Sequence, residues 1–517
     1  MSGVHEIGGI GDWLEMHARW RPRREALVDR GERLDYGRLN SRVNRVAHAL
    51  IARGVRKCDR VAAIMPNFTV FLETLFACAR LGAIFVPINF RLSPAEVRFI
   101  LEDAGVHVIV YHALFAPLLA PIRKETEILH GICVPDGGAA MSGDDLYENV
   151  LESSADHPVR MPVGQDDVHA MMYTSGTIGA PKGALLTHGN ATWNAVNLQL
   201  SDSALRTDDV VLTVAPLFHI GALGIHTLPA LYLGAKIVLH SRFDTTEILG
   251  LVERERVSAL FLVPSMWLAI RQHPDIDHYN LSSLRTLISG GAPCPIPVIE
   301  FFQGRGLNFQ EGFGMTETAP CASILDSRDA TRKNGSVGLP VMHMRMRIVD
   351  ENDHDVAPGR VGELVLRGPK LFSGYWNRPE ATEEAFRGGW FHTGDLARQD
   401  EEGFFYIVDR KKDMLISGGE NIYPVEIEQV LYRHPKVREL AVIGVPDAKW
   451  GEVPLLVVAP RDGEHLTPDE VRAFCEGKLA HFKIPKHVIE VEALPRNAAG
   501  KVLKRELRMT LATNFKA

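Results

Sequence analysis

The stretch VAAIMPNFTVFLETLFACARLGAIFVPIN, Val61–Asn89, carries the key to the fold. An apolar run, VAAIMPN, leads into a helix-like segment, FTVFLETLFACARLGA, and a second apolar run, IFVPIN, closes the unit. That order is strand, helix, strand, and it predicts an α/β architecture. The same short apolar runs return at DVVLTVAP (209–216), AKIVLH (235–240), SALFLVP (258–264) and LRTLISGG (284–291), each ending in Pro, Gly or a polar turn. Strands buried on both faces read this way, and ligand-binding loops are expected at their ends.

Further along, from about residue 335 to 409, the pattern changes to glycine-punctuated strands, MRMRIVD, GELVLRG and GFFYIVD, which predict antiparallel β structure. After the basic run Arg410-Lys411-Lys412 come the helical stretch PVEIEQVLYRH, strands at ELAVIGVP and PLLVVAP, and a helix near TPDEVRAFCEGKLA. This is a compact α+β unit of domain size. The expected class is thus α/β: a large N-terminal domain of doubly wound sheets with a β-rich subdomain (residues 1–409), a junction at 410–412, and a small α+β C-terminal domain (413–517).

A chain of 517 residues exceeds the size of one ordinary core, in keeping with more than one folding unit. Acidic residues outnumber basic ones, 64 to 57, for a net charge of −7 without any long basic run, so nucleic acid is not an expected partner. The six cysteines form no C-x-x-C pair, which fits reduced thiols and disfavours structural zinc. The N-terminus lacks the basic start and apolar centre of a signal peptide, and a cytoplasmic location is expected. Val211–Ala235 contains no Asp, Glu, Lys or Arg, yet Pro216, Gly221, Gly224, Pro229 and Gly234 punctuate it, so it is read as buried core rather than as a membrane span.

The chemistry is concentrated in YTSGTIGAPKGALLTH, Tyr173–His188. Glycines allow backbone N–H groups to approach phosphate oxygens, the hydroxyls of Thr174, Ser175 and Thr177 add donors, and Lys182 adds charge. It is not a Walker A loop: counted from Gly176, Pro181 stands where the second Gly belongs and Gly183 where Ser or Thr would meet magnesium. Four more segments follow: EGFGMTE (311–317), GGWFHTGDLA (388–397), YIVDRKKDMLISGGENIYPVEIE (406–428) and PRNAAGKVLKREL (495–507).

Together these five resemble, in order, the signatures of the adenylate-forming superfamily, which includes acyl-CoA synthetases, peptide-synthetase adenylation domains and beetle luciferases. The resemblance covers essentially the whole chain and is nearest to fatty-acyl and aryl-acyl CoA ligases. It implies that Thr174, Ser175, Gly176, Thr177, Gly179 and Lys182 cradle the phosphates of ATP. It places Gly291, Ala292, Glu311, Gly312 and Phe313 about the adenine, with the Phe313 ring stacking on it. Thr316 would contact phosphate, and Glu317, with Thr177, would hold Mg2+, a hard ion suited to oxygen ligands. Asp395 would accept from the ribose hydroxyls beside Arg410. Lys412 matches the hinge, Ser417, Gly418 and Gly419 the loop lining the coenzyme A tunnel, and Lys501 the lysine that bridges carboxylate and α-phosphate during adenylation. Thr316, Glu317, His219 and Lys501 make up the expected catalytic set.

The same resemblance implies two half-reactions. A carboxylate and ATP give an acyl-adenylate and pyrophosphate, and after rotation of a mobile C-terminal domain the acyl group passes to coenzyme A. APLFHIGAL (215–223), LVPSMW (262–267) and SGGAPCP (289–295) match the acyl-site walls, which assigns His219, Val263, Gly290, Gly291, Gly312 and Met315 to the acid. These walls are apolar, and no Asp stands by Phe218-His219 to pair an α-ammonium group, so a medium- or long-chain, aryl or other bulky hydrophobic acid is expected. Delivery to a carrier-protein phosphopantetheine is the alternative; the chain ends at Ala517 without a carrier domain, which favours free coenzyme A. A homodimer is left open.

Overall fold

The computed structural model describes residues 8–174, 181–202, 204–326, 328–496 and 502–511. Two large sheets dominate. One has eight strands, in the order Gly374–Tyr375, Lys182–Thr187, Val168–Thr174, Ile84–Pro87, Arg60–Ile64, Val108–His112, His130–Val134 and Asp145–Leu146. The other has nine: Leu339–Pro340, Cys321–Ile324, Phe309–Gly314, Thr286–Ser289, Ala259–Leu262, Val210–Thr213, Lys236–Leu239, Glu25–Asp29 and Glu32–Asp35.

The opening stretch folds as its pattern predicts: strand Arg60–Ile64, helix Thr69–Leu81, strand Ile84–Pro87, with the two strands parallel. Val61 and Ala63 point into the main core while Ala62 and Ile64 point into a second one, so the strand is covered on both faces. Every residue of the helix from Val70 to Leu81 is buried, including Glu73. That carboxylate is matched by Arg42 and by the Tyr147 hydroxyl, which donates to it at 2.7 Å, so the buried charge is paired and hydrogen-bonded.

The uncharged run that could be mistaken for a membrane span is core. It begins in strand Val210–Thr213, passes through the π-helical turn Leu223–Thr227 and helix Leu228–Leu233, and stops at Gly234, which caps the helix with φ +79°. Among the described residues no helix is long and apolar enough to cross a membrane. Strands Arg345–Val349, Gly362–Arg367, Phe391–Gln399 and Phe405–Arg410 form the expected antiparallel sheet, and the C-terminal residues build a five-stranded sheet on Val437–Asp447 and Gly451–Pro460. All six cysteines are free, and only Cys58 is exposed.

Six neighbouring strands of the nine-stranded sheet run parallel, so their carboxyl ends share one edge. Under that edge, Trp267 is fully buried in edge-to-face contact with Phe302 and Phe309, ring centroids 5.1 and 5.0 Å away, and its indole N–H donates to Ile288 O at 3.3 Å. Trp267→Ala should destabilise this domain by about 3–5 kcal/mol, the usual result of emptying so large a site. Urea unfolding followed by circular dichroism checks it; a midpoint within error of the parent would show that Trp267 does not anchor these strands.

Candidate active site

The loops that leave this shared edge carry the residues singled out from sequence. Strand Val210–Thr213 leads to His219, Ala259–Leu262 to Val263, Thr286–Ser289 to Gly290 and Gly291, and Phe309–Gly314 to Met315 and Glu317. Parallel strands bring distant stretches of chain into one crevice because their ends align. Gly290 and Gly291 keep that crevice open. A Cβ at Gly290 would lie 3.2 Å from the Phe261 ring and 3.5 Å from Gly312 O, while Gly291 adopts φ +86°, which favours glycine.

The segment expected to cradle phosphate starts on two antiparallel strands of the other large sheet, where Thr174 pairs with Lys182. Ser175, Gly176, Thr177 and Gly179 lie outside the described residues, as does Lys501. Lys182 sits with Nζ 5.0 Å from the centroid of the Tyr375 ring. The Tyr375 hydroxyl donates to Glu317 Oε1 at 2.8 Å. One tyrosine thus ties the loop lysine to the carboxylate singled out for metal binding. Tyr375 was missed in the sequence: it lies on a two-residue strand after Gly374, too short to show a period, and its role comes from pairing with Ala184.

Glu317 is buried, 4% exposed, and burial pushes its pKa up. The Tyr375 hydrogen bond and the charge of Arg410 oppose that shift, while the charge of Asp395 adds to it. Asp395 and Arg410 stand directly opposite each other on adjacent antiparallel strands, with Arg410 Nε 3.1 Å from Asp395 Oδ1. Such an arrangement, buried acids short of positive charge beside a lysine and an arginine, suits a hard divalent cation and a polyanion.

Glu311 lies beside Ser289 on the neighbouring strand and is fully enclosed. Desolvation pushes its pKa up to about 8, only partly offset by the Cys294 N–H, which donates to Oε1 at 3.0 Å. Glu311 is accordingly a neutral acid at pH 7, able to donate one hydrogen bond and accept another. Gly312, Phe313, Met315 and Thr316, next along the chain, are partly exposed, with Phe313 and Met315 packed on the edge of the main core.

His219 follows Phe218, with ring centroids 4.5 Å apart, and its buried Nε2 has no hydrogen-bond partner. Desolvation, helped by the charge of Arg91, lowers its pKa to about 4, so the imidazole is neutral. It can hydrogen-bond a ligand, but it carries no charge to attract a carboxylate.

Lys412 lies in a tight turn where Asp413 N and Met414 N both donate to Arg410 O, between the antiparallel subdomain and the C-terminal sheet. Ser417 pairs with Glu420 around the two-residue turn Gly418-Gly419, both at positive φ, as such turns demand. Gly418 N donates to Trp450 O at 2.8 Å, so the structure holds this turn against its own domain. A second set of contacts was not legible either. Gln429 donates to Cys294 O at 3.1 Å and accepts from Ile296 N at 3.1 Å, which joins the C-terminal helix Pro424–Leu431 to the segment that holds Glu311.

The fold and sequence of this chain match known proteins along nearly its whole length. The AMP-binding enzyme family matches residues 14–376, and the AMP-binding enzyme C-terminal domain matches residues 426–501. A feruloyl-CoA synthase from Amycolatopsis sp is 46% identical over 97% of this chain and 98% of its own length. An indoleacetate–CoA ligase from Aromatoleum aromaticum is 40% identical, again over 97% and 98%. The crystal structure of the anthranilate CoA ligase AuaEII in complex with anthranoyl-AMP superposes with TM-score 0.93 at 26% identity over 99% of both chains. That of o-succinylbenzoate CoA synthetase from Bacillus subtilis, in complex with ATP and magnesium ion, gives 0.85 at 31% identity over 96% and 99%. The chain belongs to the AMP-binding enzyme family, the adenylate-forming enzymes, and is one of its AMP-forming acid–thiol ligases.

Proposed function

We propose that the protein joins a bulky hydrophobic carboxylic acid, foremost an aryl acid, to coenzyme A at the expense of ATP. The observation that carries this reading is the convergence of Lys182, Tyr375 and Glu317 with Asp395 and Arg410 beside an apolar crevice walled by Phe261 and glycines. A flat ring such as Phe261 beside Gly290 favours a planar aromatic acid, in line with the acids named for the feruloyl and indoleacetate relatives.

A carboxylate is a poor acyl donor because its leaving group is oxide. Attack on the α-phosphorus of ATP expels pyrophosphate and leaves a mixed anhydride whose leaving group is AMP. Lys182 and Lys501 neutralise phosphate charge, Asp395 with Arg410 orients the ribose, Phe313 stacks on the adenine, and neutral Glu311 presents a hydrogen-bonding edge beside it. Bound at Glu317 and Thr177, Mg2+ supplies charge neutralisation on the phosphates. His219 lies near the carboxylate as a neutral donor. Residues 1–409 and 413–517 act as two domains that swivel about 410–412, exchanging Lys501 for the Ser417-Gly418-Gly419 loop when the thiol of coenzyme A enters.

Three measurements test this reading. With a panel of acids, ATP-dependent pyrophosphate release and product mass spectrometry should favour aryl-propenoic and arylacetic acids with coenzyme A. Preference for acetate, malonate or an amino acid would overturn it, and product formed only on a carrier protein would move the acceptor. Lys501→Ala should lower adenylation by about a hundredfold or more, in the range for removing a transition-state charge partner, while thioester formation from supplied acyl-adenylate stays nearly intact; equal loss in both steps refutes the exchange.

The third concerns Glu311, whose ordinary pKa of 4.5 rises to about 8 in the folded protein. The folded state therefore holds an extra proton between these values, and wild-type stability falls as pH climbs through that window. Glu311→Gln removes this dependence, so the melting temperature of the variant relative to wild type should rise steadily from pH 5.5 to 8.5. A constant difference across that range would mean that Glu311 is ionised in the fold.

A further inference from the structure

The mechanism leaves one buried polar side chain without a role. His226 is 3% exposed, and both its ring nitrogens lack a hydrogen-bond partner. A core histidine is normally satisfied at one nitrogen at least, because a buried unpaired donor or acceptor costs about 1–3 kcal/mol. His226 lines a cavity just large enough for one water molecule, with Leu212, Thr213, Val214, Ala215, Ala222 and Phe261.

The placement of His226 is enforced. It lies on the π-helical turn Leu223–Thr227, where an extra residue widens the helix. Thr227 Oγ1 donates to Ala222 O, five residues back, at 2.8 Å, and lies 2.9 Å from Thr213 Oγ1 on the adjacent strand. Turns of this kind cost helix stability and recur at functional sites.

Phe261 lines this cavity together with His226, and its ring also approaches Gly221 and Gly290, the latter assigned from sequence to the acid site. A Cβ at Gly221 would come 3.0 Å from Phe261 Cζ, and one at Gly290 would come 3.2 Å from Cε2. The ring is thus flanked by two residues without side chains, and it lines the His226 cavity while also approaching Gly290, whose Cβ position lies 3.5 Å from Gly312 O. With no side chain at Gly221 or Gly290, the ring packs close against the backbone at both positions.

We propose that the cavity behind Phe261 is the distal compartment of the acyl site, that Phe261 is its movable partition, and that His226 hydrogen-bonds a polar substituent at the far end of an aromatic acid, such as a para hydroxyl group. A neutral imidazole offers one donor and one acceptor and so matches a phenol, which needs both. Desolvation, which lowers the His226 pKa to about 3, keeps the ring in that neutral form. This inference rests on the aryl-acid reading above and adds to it the residue that discriminates among aryl acids.

The test compares 4-hydroxycinnamate with cinnamate, which lacks only the hydroxyl, using wild type, His226→Leu, His226→Gln and Phe261→Ala. His226→Leu should lower kcat/KM for the hydroxy acid by about tenfold or more and leave cinnamate unchanged or improved, as expected when a site built for a hydroxyl loses its partner. His226→Gln, which keeps a donor and an acceptor, should retain part of the preference and guards against a leucine variant that fails to fold. Phe261→Ala should relax the size limit at the para position, so that 4-alkoxycinnamates are accepted. If wild type turns over both acids but the His226 variants change them equally, or change neither, the assignment of His226 fails while the aryl-acid reading stands. If wild type turns over no aryl acid, both fall.

Discussion

Burial of acidic side chains is the constraint around which this site is organised. Glu317, Asp395 and Glu311 are each less than a tenth exposed. Removing a carboxylate from water is costly, and the fold answers differently at each position. Asp395 takes an arginine on the facing strand, Glu317 takes a tyrosine hydroxyl and distant help from Arg410, and Glu311 keeps its proton. These three acids lie on separate strands or loops, and each is matched to a different part of the nucleotide it is proposed to meet.

Such an arrangement requires a scaffold that converges distant residues without exposing polar backbone. Parallel strands do this because the carboxyl ends of the six parallel strands of the nine-stranded sheet reach the same edge. The eight-stranded sheet contributes the Thr174–Lys182 strand pair and, through the short Gly374–Tyr375 strand beside it, the tyrosine that reaches Glu317. The helix Thr69–Leu81, buried along its length, joins the main core to which both sheets contribute. The site is therefore a seam between two sheets, and its two halves are fixed by one continuous hydrophobic core.

How much of this was legible in the sequence follows from what each signal depends on. Period and length announced the strands at Arg60–Ile64 and Ala259–Leu262 and the antiparallel strands after residue 335, because burial on one face or two leaves a pattern in the chain itself. Motifs announced Glu317, Asp395 and Arg410 because their spacing is local. Tyr375, Gln429 and His226 were illegible for the opposite reason. Each acquires its meaning from a partner far away in the chain, Glu317 for the first, Cys294 and Ile296 for the second, and the Phe261 cavity for the third. The long uncharged run from Val211 to Ala235 shows both sides of this: its glycines and prolines excluded a membrane helix, yet nothing in it foretold a π-helical turn.

The contacts between the C-terminal helix Pro424–Leu431 and the body differ in kind from those within either part. Among the described residues they include the two Gln429 hydrogen bonds to backbone at Cys294 and Ile296, the Val425 N–H bond to Asp409 Oδ2 at 3.1 Å and, just past the helix, the half-exposed Arg433–Glu300 pair at 3.3 Å. An ion pair that exposed contributes about 0–1 kcal/mol, and water readily replaces either Gln429 hydrogen bond. By contrast, Lys504 pairs with Glu428 at 2.8 Å and Arg508 with Asp413 at 2.8 Å, both largely shielded, which ties the last described helix to the turn after Arg410. The proposed swivel needs strong bonds inside the moving unit and weaker ones outside, and the Gln429 and Arg433 contacts are of the weaker kind. The Gln429 contact reaches Cys294, whose N–H holds Glu311, so the C-terminal helix touches the segment that positions the acid proposed to meet the adenine edge.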